Sequence, residues 1–203
     1  MRKLALALVL SLLPLLACAP QLRVRPDSPQ TVWGNGLPVA TGMGPSLGVR
    51  AVASSLQPNR LMLDVTVQNT SQHPLLLDST HFRLSGSSTQ GRLVSAVDPE
   101  VELRENRREL AFLSSGLVLV AEAVSVSTEG SGEELDARRE ELGQQQHFWE
   151  TQMLRRTTLE PGGMLRGLVA FGYPVRKGEL SLQVDSEAGA LVLPFRVEVD
   201  PSR

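Results

Sequence analysis

Two rows of alternating side chains constrain this chain more than any other feature. Between Arg60 and Asn69, Leu61, Leu63, Val65 and Val67 fall on one face, and Met62, Asp64, Thr66 and Gln68 fall on the other. Leu191, Leu193, Phe195, Val197 and Val199 repeat the pattern near the C-terminus and make the clearest inward row. Successive side chains of extended backbone point to opposite faces, so a period of two marks a half-buried strand. Weaker rows follow the same rule: Leu47, Val49, Ala51 and Ala53, then Leu165, Gly167, Val169 and Phe171, then Leu180, Leu182 and Val184. Further short strands are expected at 74–78, around Phe82 and Leu84, and from Arg92 to Val97. Gly86, Gly91, Asp98-Pro99 and Pro161-Gly162-Gly163 supply the breaks between them. Pro194 faces away from the last row and cannot donate to a ladder, which places it at a sheet edge or bulge.

Seven or eight short strands separated by turn signals argue for a mainly β fold, an antiparallel β-sandwich of the immunoglobulin-like kind. The Cys…Trp…Cys hallmark of antibody domains is absent, because the chain has one cysteine. The sandwich domain is expected over residues 46–200, with a helical hairpin inserted at about 105–158. Leu110, Leu113, Leu117, Val120, Ala121 and Val124 recur at helical spacing, although Leu117 to Val126 also reads as a strand. Ser131 and Glu134 make a capping box ahead of a second stripe, Leu135, Leu142, Trp149 and Met153. Gly143 weakens that helix by about 1 kcal/mol. The simplest picture folds the hairpin onto the sandwich through this stripe; the stripe could instead meet a partner protein, which makes Phe148 and Trp149 candidate partner contacts.

The first seventeen residues are of another kind. Arg2 and Lys3 precede a run from Leu4 to Ala17 that is apolar but for Ser11 and ends at Cys18. The run falls short of the roughly 20 residues that a membrane span needs, and its layout is that of an export signal cut between Ala17 and Cys18. Removing 1–17 leaves 18 basic against 22 acidic residues, no balance for binding nucleic acid. One cysteine allows no disulfide within the chain, and a lone cysteine in an exported protein calls for another explanation. Residues 18–45 hold Pro20, Pro26, Pro29, Pro38 and Pro45 with four glycines and no periodicity. They are expected to form a flexible tether spanning roughly 30 Å. Trp33, within it, is a further candidate partner contact.

Catalytic motifs are sparse. Gly44-Pro45-Ser46-Leu47-Gly48 matches G-x-S-x-G, but a nucleophile elbow needs a strand before the serine and a helix after it. A β-type run follows Ser46, and none of His73, His81 and His147 stands in a recognisable relation to it. A serine hydrolase is therefore the weakest functional alternative. His73, Asp78 and His81 match no compact ligand spacing, so no metal and no cofactor are expected. Asn69-Thr70-Ser71 reads as a turn.

Leu15-Leu16-Ala17-Cys18 resembles the lipobox of bacterial lipoproteins, in which the cysteine thiol is acylated and the peptide is cleaved before it. That resemblance implies attachment to membrane lipid through Cys18, and Ala19 implies sorting to the outer membrane. Val65 to Ser71, Phe82-Arg83-Leu84, Leu159 to Gly163 and Gly167 to Phe171 are together similar to immunoglobulin-like domains of bacterial envelope lipoproteins. The expectation is a lipid-anchored, non-catalytic binding or structural module of the cell envelope with a protein partner there. The alternative is an accessory lipoprotein of a secretion or envelope-assembly complex.

Overall fold

The computed structural model describes residues 22–27, 32–57, 59–114 and 131–199. The cleavage site, Cys18 and the segment 117–126 lie outside the described residues. Among the described residues, twelve strands and two α-helices follow one another. They are β1 (Leu22–Pro26), β2 (Val32–Gly34), β3 (Leu37–Met43), β4 (Leu47–Gln57), β5 (Arg60–Asn69), β6 (Leu75–Leu77), β7 (Phe82–Ser85) and β8 (Val94–Ser95). After these come α1 (Pro99–Ser114), α2 (Ser131–Thr151), β9 (Thr157–Leu159), β10 (Met164–Phe171), β11 (Gly178–Ser186) and β12 (Gly189–Val199).

The strands pair antiparallel into two five-stranded sheets, ordered β1-β12-β11-β7-β8 and β10-β5-β4-β3-β2, with a small β6-β9 ladder beside them. The alternating rows are the two inner faces. Leu61, Leu63, Val65 and Val67 of β5 meet Leu180, Leu182 and Val184 of β11 and Leu193, Phe195 and Val197 of β12 in one core, and all of them are almost fully buried. Burying a Leu, Val or Phe side chain contributes about 1.5–3 kcal/mol, so this row-on-row contact dominates the stability of a body without cross-links. The arrangement is that of a β-sandwich.

The expected tether is corrected here. Residues 22–26, 32–34 and 37–43 are strands: β1 pairs with β12 from Leu22↔Val199 to Pro26↔Phe195, and β3 pairs with β4. Val24, Val39 and Ala40 are buried. Prolines hid these strands because they fall where no donor is required. Pro38 lies on β3 opposite Trp33 of the three-residue edge strand β2, and Asn35 and Gly36 turn the hairpin with positive φ of 51° and 76°.

Pro194 lies in β12, an interior strand. In an antiparallel ladder the nitrogen and carbonyl of one residue face the same neighbour. The Pro194 carbonyl accepts from the Asp27 N–H at 3.0 Å, just past the end of β1 at Pro26. The missing donor thus faces the point where pairing stops.

The helical insertion runs from Pro99, earlier than residue 105, and its second helix stops at Thr151. Asp98 starts α1: its carboxylate accepts from the Glu100 N–H at 3.0 Å, and Pro99 occupies the first turn, where no N–H is needed. After α2 the chain lies along the free edge of β10. There the Leu154 N–H donates to the Leu168 carbonyl and the Leu168 N–H to the Gln152 carbonyl, both at 2.8 Å. Residues 157–158 already belong to β9. The hairpin covers the outer face of the second sheet, where Leu103, Trp149, Met153 and Ala170 form a second core with Met62 and Leu168 packed against it. Ion pairs Arg107–Glu150 (3.1 Å) and Arg138–Glu109 (2.8 Å) join the helices. No described helix is long and apolar enough to cross a membrane.

Candidate functional site

One end of the sandwich collects the features that remain after packing is accounted for. Leu22, the first described residue after Cys18, pairs with Val199 at this end. Ser87, Lys177 and Val199 line one groove there. A cleft of about 160 Å³ brings Leu22 to Val24 against Leu37, Pro38 and the Ala53–Leu56 stretch, so the β2–β3 hairpin tip and the β4–β5 turn lie at the same end.

Local chemistry draws the loops together. The Arg176 N–H donates to the Ser88 carbonyl at 3.0 Å, and the Glu179 N–H donates to Ser87 Oγ at 2.9 Å. Gly86 (φ +125°) has the Glu179 carbonyl 2.5 Å from where a Cβ would sit, so only glycine lets loop 86–93 approach β11 this closely. Loops 86–93 and 172–177 contain Arg92, Arg176 and Lys177 and no Asp or Glu, and Arg60 is the first residue of β5. Arg92, Arg176 and Lys177 are exposed, whereas Arg60 lies over the Trp149 ring at 5.5 Å. Glu179 and Glu198 flank this group on the outer sheet face.

The opposite end is different in charge. Connections 44–46, 70–74, 160–163 and 187–188 meet there, tied by the Ser46–Ser186 hydroxyl pair (3.0 Å) and by the Asn69 N–H donating to the Gly163 carbonyl (3.0 Å). They contain Glu160 and Glu187 and no Lys or Arg.

Trp33 is 66% exposed on the edge strand β2, with exposed Val32 and Leu37 beside it. Below it runs a groove of about 440 Å³ lined by Arg25, Asp27, Pro38, Arg196 and Glu198. Asp27 and Arg196 pair at 2.9 Å, and this hydrogen-bonded carboxylate holds the Arg196 pKa above its ordinary value. Among the candidate contacts named from sequence, Trp33 is therefore presented to solvent. Trp149 is not: it is 3% exposed, inside the hairpin-on-sheet core, with Phe148 half-buried and edge-on to it at 6.1 Å. Its stripe is packing, because the hairpin folds back on its own sheet.

Ser46 sits in a strand–turn–strand connection, with β3 before it and β4 after it. A strand does precede it, contrary to the sequence reading, but no helix follows. Its hydroxyl is hydrogen-bonded to Ser186, and the backbone at Gly44 closes on the Leu47 carbonyl at 2.8 Å. That is hairpin geometry, not a nucleophile elbow.

Asp78 and His81 cap a short 3-10 turn. The Asp78 carboxylate accepts from the Thr80 N–H (2.8 Å) and from its hydroxyl, and the Asp78 N–H donates to His81 Nδ1 at 3.2 Å. Partial burial pushes the Asp78 pKa up, but the two Thr80 hydrogen bonds and the nearby His81 and Arg156 outweigh it and hold the value below 3.8. His73 belongs to a separate turn, where its carbonyl accepts from the Asn69 side chain at 2.8 Å. Asn69 is fully buried. Its amide also donates to the Leu159 carbonyl (2.9 Å), and its oxygen accepts from the Ser71 N–H (2.9 Å) and hydroxyl (2.7 Å). The Asn-Thr-Ser triplet is a turn lock. Among the described residues no three His, Cys, Asp or Glu side chains converge.

Sequence reasoning missed the basic end. Arg92 and Arg176 lie in separate glycine- and proline-bearing loops, brought together by the β7–β11 pairing and the Arg176–Ser88 and Glu179–Ser87 hydrogen bonds; the signal available was that both loops lack acids. No protein-family model matches the chain, and no curated protein matches it. A solved structure, the yjhA protein from Bacillus subtilis, is similar at 12% identity with a TM-score of 0.34, over 79% of this chain and 81% of that one.

Proposed function

We propose that this protein is a lipoprotein of the bacterial cell envelope, held to the outer membrane by acyl chains on Cys18, whose immunoglobulin-like sandwich is a non-catalytic binding or structural module. The observation that carries the reading is the join between signal and fold. The apolar run ends in Leu15-Leu16-Ala17-Cys18, and β1 begins only four residues on, at Leu22. The tether is accordingly short. Four residue steps reach at most about 14 Å, which keeps the sandwich near the bilayer surface. Acyl burial contributes about 0.8 kcal/mol per CH₂, and two or three chains make attachment stable. A binding role is supported by the exposed Val32 and Trp33 on β2, the last strand of its sheet, since such an edge accepts an added strand.

Metabolic labelling with radioactive palmitate tests the anchor. The wild-type chain is expected to incorporate label, to begin at Cys18 after processing and to stay with membranes in high salt. Cys18→Ser is expected to lose the label. Label retained by Cys18→Ser, or wild-type protein released from membranes by salt, overturns the reading. Crosslinking in intact envelopes with mass spectrometry then identifies the protein partner.

A further inference from the structure

We infer that the basic end of the sandwich is a docking face for an anionic phospholipid surface, so that the domain stands end-on against the membrane that anchors it. The inference rests on the lipid-anchor reading above. Three independent observations converge on the same end. The chain leaving Cys18 enters the fold at Leu22, within about 14 Å of the acylated residue. The connections there carry the exposed Arg92, Arg176 and Lys177 without an acid, with Glu179 and Glu198 set on the adjoining strands, whereas those of the far end carry Glu160 and Glu187 without a base. Apolar side chains are also left exposed there, Leu37 at 45%, Leu93 at 56% and Val199 at 42%, with Trp33 at 66% one pair along the hairpin from Leu37.

Cations that attract acidic headgroups, beside an indole and short aliphatic chains, make up the chemistry of a membrane-interface surface. The polarity of the body makes one orientation favourable. With the basic end down, the acidic turns point away from the negative surface; inverted, they would face it, and the short tether would have to span the length of the domain.

The full-length, lipidated protein reconstituted into vesicles provides the test. Phosphatidylglycerol-containing vesicles are compared with pure phosphatidylcholine, each with lipid brominated on the acyl carbons nearest the headgroup. Trp33→Phe leaves buried Trp149 as the remaining tryptophan, so subtracting its signal from that of the wild type gives the Trp33 emission. On anionic vesicles Trp33 emission is expected to be quenched by roughly half, as befits an indole at headgroup level. Quenching is expected to fall on neutral vesicles, in 0.5 M salt (which shortens the screening length to roughly 4 Å), and in the triple variant Arg92→Glu/Arg176→Glu/Lys177→Glu. The salt arm needs no variant and stands even if the triple variant misfolds. Protein that floats with anionic vesicles but shows no Trp33 quenching, or quenching indifferent to lipid charge and salt, overturns the docking face and leaves the anchor intact. Protein carrying no acyl group overturns both.

Discussion

Replacing Gly167 by alanine tests how the helical hairpin is joined to the sheet. Gly167 lies in β10 opposite Val65, and a Cβ there would stand 2.8 Å from both the Cα and the nitrogen of Leu154. Carbon contacts are favourable at about 3.5–4.0 Å, so the backbone of Leu154 must retreat by most of an ångström. Forcing atoms into a packed site costs about 1–3 kcal/mol. The retreat also lengthens the paired bonds between Leu154, Leu168 and Gln152, each worth about 0.5–1.5 kcal/mol. Loss of unfolded-state freedom on Gly→Ala returns about 0.4–1 kcal/mol. The net is a destabilisation of about 2–4 kcal/mol, and at roughly 2–4 °C per kcal/mol for a chain of this size Tm should fall by about 4–16 °C.

Gly143→Ala is the matched control. Gly143 is exposed inside α2 with open space where its Cβ would go, so alanine there should stabilise by about 0.5–1 kcal/mol. Melting followed by far-ultraviolet circular dichroism reads both. A Gly167→Ala protein that melts at or above the wild-type temperature would refute the argument from close approach.

Two further outcomes are expected. Asn69→Ala removes a fully buried side chain that closes four hydrogen bonds and leaves the Leu159 carbonyl without that donor; urea denaturation should show a loss of about 2–3 kcal/mol, and an unchanged midpoint would contradict the turn-lock role. Asp78 has its pKa held below 3.8 in the folded protein. It therefore adds stability that is fully present above the unfolded value and is lost as pH falls through the lower folded value. Asp78→Asn should flatten the dependence of Tm on pH below about 4, and an identical acid profile would rule the contribution out.

Much of the fold was legible because its determinants are local. The rows of β5, β10, β11 and β12 appear in the sequence as they pack, since one face of each strand meets a continuous core and the other meets water or a polar neighbour. The β1–β3 segment was not legible. Its strands are short, proline-bearing and at sheet margins, where alternation carries little information and pairing to the distant β12 and to the neighbouring β4 supplies the order. The candidate site followed the same division. Trp33 could be named from its place in a polar stretch, whereas for Trp149 packing and partner contact both stayed open, because an apolar helical stripe has the same appearance whether it faces a partner or its own sheet.

Determined by the sequence alone were the alternation that requires sheets, the turns that separate them, and the single cysteine, which excludes a disulfide within the chain. These are properties of neighbours along the chain. Tertiary structure alone decided which strands pair, that the hairpin is consumed in packing, and that Arg92, Arg176 and Lys177 share one end with Leu22 while Glu160 and Glu187 share the other. Charge becomes a surface property only after folding, because long-range pairing sets which loops are neighbours and no local spacing records it.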